Sequence, residues 1–208
     1  MRLVVLGATG GVGFEIVHQA IARNHHVKAF VRSAERLKPF GERIEIERGD
    51  LLNTGALEKT IRGCDAILSG FGPRLPIAKS DANLLRDFGA SLTRAMQQAS
   101  VRRAVIVSTA FLFRDAIVPP AHLFGRLFFP GVVKDATAME QIISRSGLDW
   151  TLVRPPQLTD KPHTGHYRVR DGHLPAFGFK ISRADVADVC LRTLEDPASI
   201  RKILGVSR

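Results

Sequence analysis

An apolar run, Leu3-Val4-Val5-Leu6, leads directly into Gly7-Ala8-Thr9-Gly10-Gly11-Val12-Gly13, and that loop opens a segment with Val12, Ile16, Ala20 and Ile21 on one helical face. Nothing else in the chain constrains the fold as strongly. A strand, a turn with a glycine at every third position and an amphipathic helix form the first half of a βαβ unit, the context that makes a glycine pattern specific. Gly7, Gly10 and Gly13 permit a tight turn, close approach of backbone to a pyrophosphate, and close packing of helix on strand. The anion meets the free amides and positive dipole end of the helix. A dinucleotide is therefore expected on this loop, touching Gly7, Thr9, Gly10, Gly11, Val12 and Gly13.

Short β-branched runs alternate with longer helical patterns along the remaining sequence, which predicts an α/β three-layer Rossmann fold: a doubly wound parallel sheet with helices on both faces. Strands are predicted over 3–6, 27–31, 44–47, 66–68, 104–107 and 151–153. Ser80 is a candidate cap for a long helix ending near Ala99, and Ser182-Arg183-Ala184-Asp185 has the form of a capping box before a helix that Asp196-Pro197 should stop. At 208 residues, 45% hydrophobic, the chain suits one domain over 1–208. Its substrate-side loops are expected mainly in 111–133 and 155–180. The region after Pro155 is proline- and glycine-rich and reads as loops at the carboxyl edge of the sheet.

Several function classes are disfavoured. The longest apolar region, 111–133, is interrupted by Arg114, Asp115, Arg126 and prolines, so no membrane span is expected. No export signal is legible, and Cys64 and Cys190 stand without partners at metal-ligand spacing, which predicts reduced thiols, no metal site and a cytoplasmic protein. The formal charge is +10, yet the basic residues are scattered, the densest pieces being 101–103 and 167–170, without interleaved aromatics. Nucleic acid is not an expected partner. The excess reads as a solvated surface that partly serves a phosphorylated cofactor.

The end of the second strand indicates which dinucleotide. Readers of NAD place an acid there for the ribose hydroxyls, whereas this chain has Arg32, followed by Ser33 and Arg36. Guanidinium groups suit bidentate phosphate binding, so NADP(H) is preferred over NAD(H). The Gly-x-x-Gly-x-x-Gly spacing resembles that of the short-chain dehydrogenase superfamily, which implies adenine contacts from the Asp50 side chain and the Leu51 amide. Ser69-Gly70-Phe71-Gly72 follows the fourth strand as backbone at the cofactor edge, and Gly89 is read as letting the long helix lie close to the sheet; either reads equally as plain packing.

From the fifth strand onward the chain resembles atypical short-chain dehydrogenases related to flavin reductase, also called biliverdin-IXβ reductase, and more distantly NmrA-like proteins. The resemblance rests on Val107-Ser108-Thr109-Ala110-Phe111-Leu112, Val118-Pro119-Pro120, Ser146-Gly147-Leu148-Asp149-Trp150-Thr151, Arg154-Pro155-Pro156, Thr164-Gly165 and Ile181-Ser182-Arg183-Ala184-Asp185-Val186-Ala187-Asp188. It implies a hydroxyl beside the nicotinamide, from Thr109 or Ser108, with Pro155 on the other flank. The family places a histidine after the Pro-Pro pair, where this chain has Gln157. Lys134 and Glu140 stand where some NmrA-like relatives carry a Lys and a Glu.

Ordinary members of the superfamily protonate the developing alkoxide with a Tyr-x-x-x-Lys pair. Here the only tyrosine is Tyr167, in a late segment, with Asp171 four residues on. A reductase that passes hydride to a flavin, quinone or similar conjugated ring needs no strong protein acid, because the charge spreads over the ring and solvent supplies the proton. On this reading Phe111, Leu112, Phe113, Phe124, Phe128 and Phe129 wall an open site for a planar acceptor, or else belong to the core or a dimer contact. Gln157 and His163 border the pocket; His122, His166 and His173 read as surface residues. The protein is expected as a monomer or homodimer. The alternative is an NADP(H)-binding redox sensor of the NmrA-like kind that does not turn over. A nucleotide-sugar epimerase is disfavoured by the missing tyrosine and the short carboxyl-terminal region.

Overall fold

The computed structural model describes residues 1–73, 82–115 and 120–208. Ser80 and the Val118-Pro119 part of the Pro-Pro motif lie outside the described residues. The strands read from the sequence are present as β1 (Arg2–Leu6), β2 (His26–Val31), β3 (Glu45–Arg48), β4 (Ala66–Ser69), β5 (Arg103–Val107) and β6 (Asp149–Arg154). The α-helices among the described residues are α1 (Gly11–Ala22), α2 (Thr54–Ile61), α3 (Leu84–Gln98), α4 (Ala121–Phe128), α5 (Pro130–Ser144) and α6 (Arg183–Glu195).

The main sheet has the order β3-β2-β1-β4-β5-β6 and continues through β10 (Lys202–Ser207) to β8 (Arg168–Asp171). Every pairing in it is parallel except β8 on β10. Strands buried on both faces must be apolar throughout, and β1 buries Leu3, Val4, Val5 and Leu6 completely. Leu3 and Val5 join the layer of α1 and α6, with Ile16, Val17, Val186 and Leu191. Val4 and Leu6 join that of α2, α3 and α5, with Leu57, Phe88, Leu92 and Met139. Each such side chain contributes about 1.5–3 kcal/mol by leaving water, so the two layers dominate the fold's stability. The strand order reverses at β1, with β2 on one side and β4 on the other, and a crevice at the carboxyl ends of such neighbours is where ligands bind.

The region after Pro155 is more regular than its composition suggests. β7 (Gln157–Thr159) pairs in parallel with β9 (Lys180–Ser182), and β8 forms an antiparallel edge on β10. Exposed throughout, β8 reads Arg-Val-Arg-Asp, the charged composition that guards an edge, and so carries no buried-strand signature. The basic piece at 101–103 is likewise structural. The Arg103 guanidinium bonds the Asp149 carbonyl at 2.9 Å, Thr151 Oγ1 at 2.8 Å, the Thr193 carbonyl at 2.6 Å and Ser199 Oγ at 2.8 Å, tying β5 and β6 to the end of α6.

Two local expectations change. α3 begins at Leu84, and its first amides, those of Leu85 and Arg86, donate to the Asp135 carboxylate of α5 at 2.8 and 3.0 Å. Gly89 brings α3 against α5 rather than the sheet, because a Cβ there would lie 3.1–3.4 Å from Met139. Cys190 is fully buried and its thiol is pushed up to about 12, while partial burial pushes Cys64 up to about 11; both are free. Among the described residues no helix is long and apolar enough to cross a membrane.

Candidate functional site

The glycine loop sits at the strand-order reversal. Leu6 pairs with Ser69, and the Gly70 amide donates to the Leu6 carbonyl at 3.0 Å, so the carboxyl ends of β1 and β4 meet. Gly7 turns at φ +69, and a Cβ there would lie 2.7 Å from the Phe71 backbone. Gly13 packs so closely that a Cβ would lie 2.6 Å from the Gly7 carbonyl carbon and 2.9 Å from Ala8 Cα. The start of α1 has no side-chain cap and no acidic residue in its first turn. Among the described residues its first-turn amides thus have no capping side chain and no acid of their own turn against the dipole, which fits a pyrophosphate.

At the other end of the loop Arg32 and Ser33 are exposed after β2. Arg36, also exposed, donates to the Thr9 carbonyl at 2.8 Å and lies 5.4 Å from the Phe14 ring centroid, so one of the phosphate candidates is docked on the loop itself. Asp50 is exposed and accepts from the Leu52 amide at 3.0 Å, whereas the Leu51 side chain is buried in the core. Of residues 69–72, Ser69 is buried and accepts from the Phe71 amide at 3.3 Å, and Phe71 packs on Phe88 at 4.8 Å. Their side chains turn inward, leaving the backbone of Gly70 and Gly72 at the crevice.

The ends of β5 and β6 are joined by hydrogen bonds from the Ser108 amide to the Val153 carbonyl at 2.8 Å and from the Ala110 amide to the Pro155 carbonyl at 3.0 Å. Thr109 and Pro155 are thereby neighbours. Thr109 Oγ1 accepts from the Phe111 amide at 3.2 Å, capping the 3-10 turn Ala110–Leu112, and its own hydrogen is left to donate. Ser108 Oγ is buried without a partner among the described residues. Both residues are half-buried and lie beyond the end of β5 at Val107; the Thr109 hydroxyl is engaged at the turn, while the Ser108 hydroxyl is enclosed.

The aromatic set divides. Phe111 stacks on Phe129 at 5.7 Å and lies 6.1 Å from Phe124, and α4 sits on it through Gly125, where a Cβ would come within 2.7 Å of the Phe111 ring. Phe113 does not wall an open site: it is 2% exposed and packs with Ala110, Ala121 and Leu174. The Arg154 guanidinium lies 4.7 Å from its ring centroid and forms a bidentate pair with Glu140, which is 6% exposed. Glu140 is thus half of a buried ion pair, while Lys134 is exposed.

Gln157 is exposed on β7, where its backbone N–H donates to the Phe179 carbonyl at 3.3 Å. His163 has partners that its sequence position did not reveal, Asp188 at 3.6 Å and Asp185 at 3.9 Å. Both acids are buried on α6. Asp185 accepts from the Thr164 amide and hydroxyl, the Gly165 amide and Ser182 Oγ. The capping-box acid therefore pins the 164–165 segment rather than closing the box on its own helix. Burial raises the Asp188 carboxyl, but the Tyr167 hydroxyl, Arg192 and Arg23 outweigh it and hold it below the usual range.

A further side chain reaches the loop from the 182–185 capping box, whose motif gave Arg183 itself no role. Arg183, the first residue of α6, lays its stem over Gly11, where a Cβ would come within 2.6 Å of Nε. Its guanidinium pairs with Asp160 at 2.6 Å. Only the packing of α6 along α1 brings it there.

A family described as NAD(P)H-binding matches residues 7–197. The chain belongs to that family. It is 31% identical to an uncharacterized chloroplastic protein of Arabidopsis thaliana over 99% of this chain and 76% of that protein. A short-chain dehydrogenase/reductase of Veillonella parvula, solved in complex with NADP, superposes with a TM-score of 0.82 at 20% identity, covering 100% of this chain and 94% of that one. An anaerobillin reductase of Escherichia coli O157:H7 superposes with a TM-score of 0.81 at 20% identity, covering 100% and 97%. At that identity the solved structures share the Rossmann fold with this chain.

Proposed function

We propose that this protein is an NADPH-dependent reductase that passes hydride to a flavin, quinone or similar conjugated acceptor. The observation that carries the reading is the sequestered tyrosine. Tyr167, alone of its kind in the chain, donates to Asp188, and burial together with that carboxylate pushes its hydroxyl well above the usual range. A phenol so held is a poor acid for an alkoxide, which directs the chemistry to acceptors that spread their charge.

When bound, the cofactor supplies the hydride from its nicotinamide ring. Arg32, Ser33 and Arg36 would hold the 2′-phosphate, the α1 amides the pyrophosphate, and Thr109 and Pro155 would flank the nicotinamide. The Thr109 hydroxyl hydrogen is available to a polar atom of cofactor or acceptor, while Phe111 and Phe129 offer an aromatic wall on the acceptor side.

Purified protein is expected to oxidise NADPH faster when riboflavin or a naphthoquinone is added; no stimulation by either would refute the reductase. Arg32→Glu is expected to weaken NADPH by about 100-fold, as for loss of a charged phosphate contact, with NADH changed little. Equal losses for both would remove the 2′-phosphate from this site. One observation favours the second reading, a sensor that binds NADP(H) without turnover. α4 points Leu123, Phe124, Leu127 and Phe128 outward, all at least 48% exposed, and contiguous exposed apolar residues mark surfaces for partners or ligands. A sensor would bind both redox forms and oxidise nothing.

A further inference from the structure

We propose that Arg183 is a ligand of the dinucleotide's pyrophosphate, held above the glycine loop by Asp160 until the diphosphate replaces that carboxylate. The inference rests on the reading that a dinucleotide occupies the loop, and is independent of what the cofactor reduces.

The position of Arg183 is built rather than incidental. Ser182 caps α6 by accepting the Asp185 amide at 2.9 Å, which fixes the backbone of the first turn. α6 then packs along α1, with Gln19 Nε2 donating to the Ala184 carbonyl at 2.8 Å and Arg23 paired with Asp188. Since residues 19 and 23 meet 184 and 188, the helices run in the same direction and their amino ends lie on the same side of the fold. From there the Arg183 stem reaches back over Gly11, the first residue of α1. Glycine leaves room for it: any side chain at position 11 would meet Cδ and Nε.

The guanidinium thus lies beside the helix end whose amides have neither a cap nor an acid. Its partner is weakly committed. The Asp160 side chain is 91% exposed and that of Arg183 30% exposed, and such exposed pairs contribute about 0–1 kcal/mol. A diphosphate presents more charge, is already drawn to the α1 dipole, and offers oxygens in the geometry that a planar fork takes bidentately. Exchange of Asp160 for phosphate is then downhill. Arg36 approaches the loop independently, through Thr9, so that two guanidinium groups serve different phosphates: Arg36 the 2′-phosphate and Arg183 the bridge common to both dinucleotides.

The test separates the two by ligand fragment, using the full chain and binding measured by calorimetry or by nucleotide fluorescence. Arg183→Gln is expected to weaken NADPH, NADH and ADP alike, by about tenfold, the size of one lost charged hydrogen bond, and to leave adenosine 2′-monophosphate unchanged. Arg183→Lys should fall between the two, and Asp160→Asn should tighten NADPH. Melting temperatures of the free variants should fall by no more than about 2–4 °C, since Asp160 is exposed and such a pair contributes about 0–1 kcal/mol. Affinities for NADPH, NADH and ADP within twofold of the parent in Arg183→Gln would overturn the proposal. Failure of every acceptor to stimulate NADPH oxidation would refute the reductase and leave this result standing. A parent chain that bound neither dinucleotide would overturn both.

Discussion

Glu140→Ala is expected to destabilise the folded chain by about 3–5 kcal/mol, the usual result of removing one partner from a buried ion pair. Glu140 is 6% exposed and the Arg154 side chain 11%, with Arg154 Nε 3.0 Å from Oε1 and a second bond from Nη2 to Oε2. Truncation leaves a guanidinium that cannot lose its proton in a site walled by Phe113 and Leu152. The Phe113 ring face offsets only part of that cost, a desolvated cation–π contact contributing about 2 kcal/mol. Urea denaturation would measure the loss. Because Arg154 immediately precedes Pro155, the variant should also loosen the nicotinamide end of the site. A double replacement, Glu140→Leu with Arg154→Met, should recover much of the stability, since apolar side chains of similar volume need no partner. A loss below about 1 kcal/mol for Glu140→Ala would mean that the pair is solvated and behaves as a surface ion pair.

Gly13→Ala is expected to weaken NADPH and NADH together by at least about 100-fold, equivalent to about 2.7 kcal/mol. The added methyl would meet the Gly7 carbonyl group and Ala8 Cα, all backbone, so no side chain can rotate out of its way. Either the turn at Gly7 opens or α1 moves off β1, and both displace the amides that face the pyrophosphate. Circular dichroism would establish that the variant is folded, and calorimetry with each dinucleotide would read the affinity. Gly55→Ala, on α2 where the nearest heavy atom lies 3.7 Å away, serves as the control. Unchanged affinity in folded Gly13→Ala would show that the loop tolerates displacement and that the cofactor is held elsewhere.

Legibility of the chain varied with the physical origin of each feature. β1, β2, β4, β5 and β6 and the helices α1, α3 and α6 were readable because burial, apolar periodicity or a capping signal marks the residues themselves. β7, β8 and β9 were not, since they are short and lack a buried apolar run, β8 being exposed on all four residues. The glycine loop announced itself because close backbone approach excludes every other residue type. Phe113 misled because an apolar aromatic looks alike in a pocket wall and in a core; the 3-10 turn at 110–112 sends it inward and leaves Phe111 at the surface side. Ser108 and Thr109 were equivalent as hydroxyls until the fold enclosed Ser108 Oγ and set Thr109 Oγ1 to cap the 3-10 turn.

By itself, then, the sequence determined the fold class, the place where a dinucleotide is expected and the absence of a Tyr-Lys pair, all of which follow from local spacing or from residue counts. Only the tertiary structure decided what the scattered charges do. Arg103 staples the sheet, Glu140 and Arg154 form a pair beneath the site, Asp185 and Asp188 anchor the 160–167 segment, and Arg183 arrives at the glycine loop from the far end of the chain. The reason is physical: charged groups act through distances of a few ångströms in space, and residues 11 and 183 become neighbours only when α6 packs along α1.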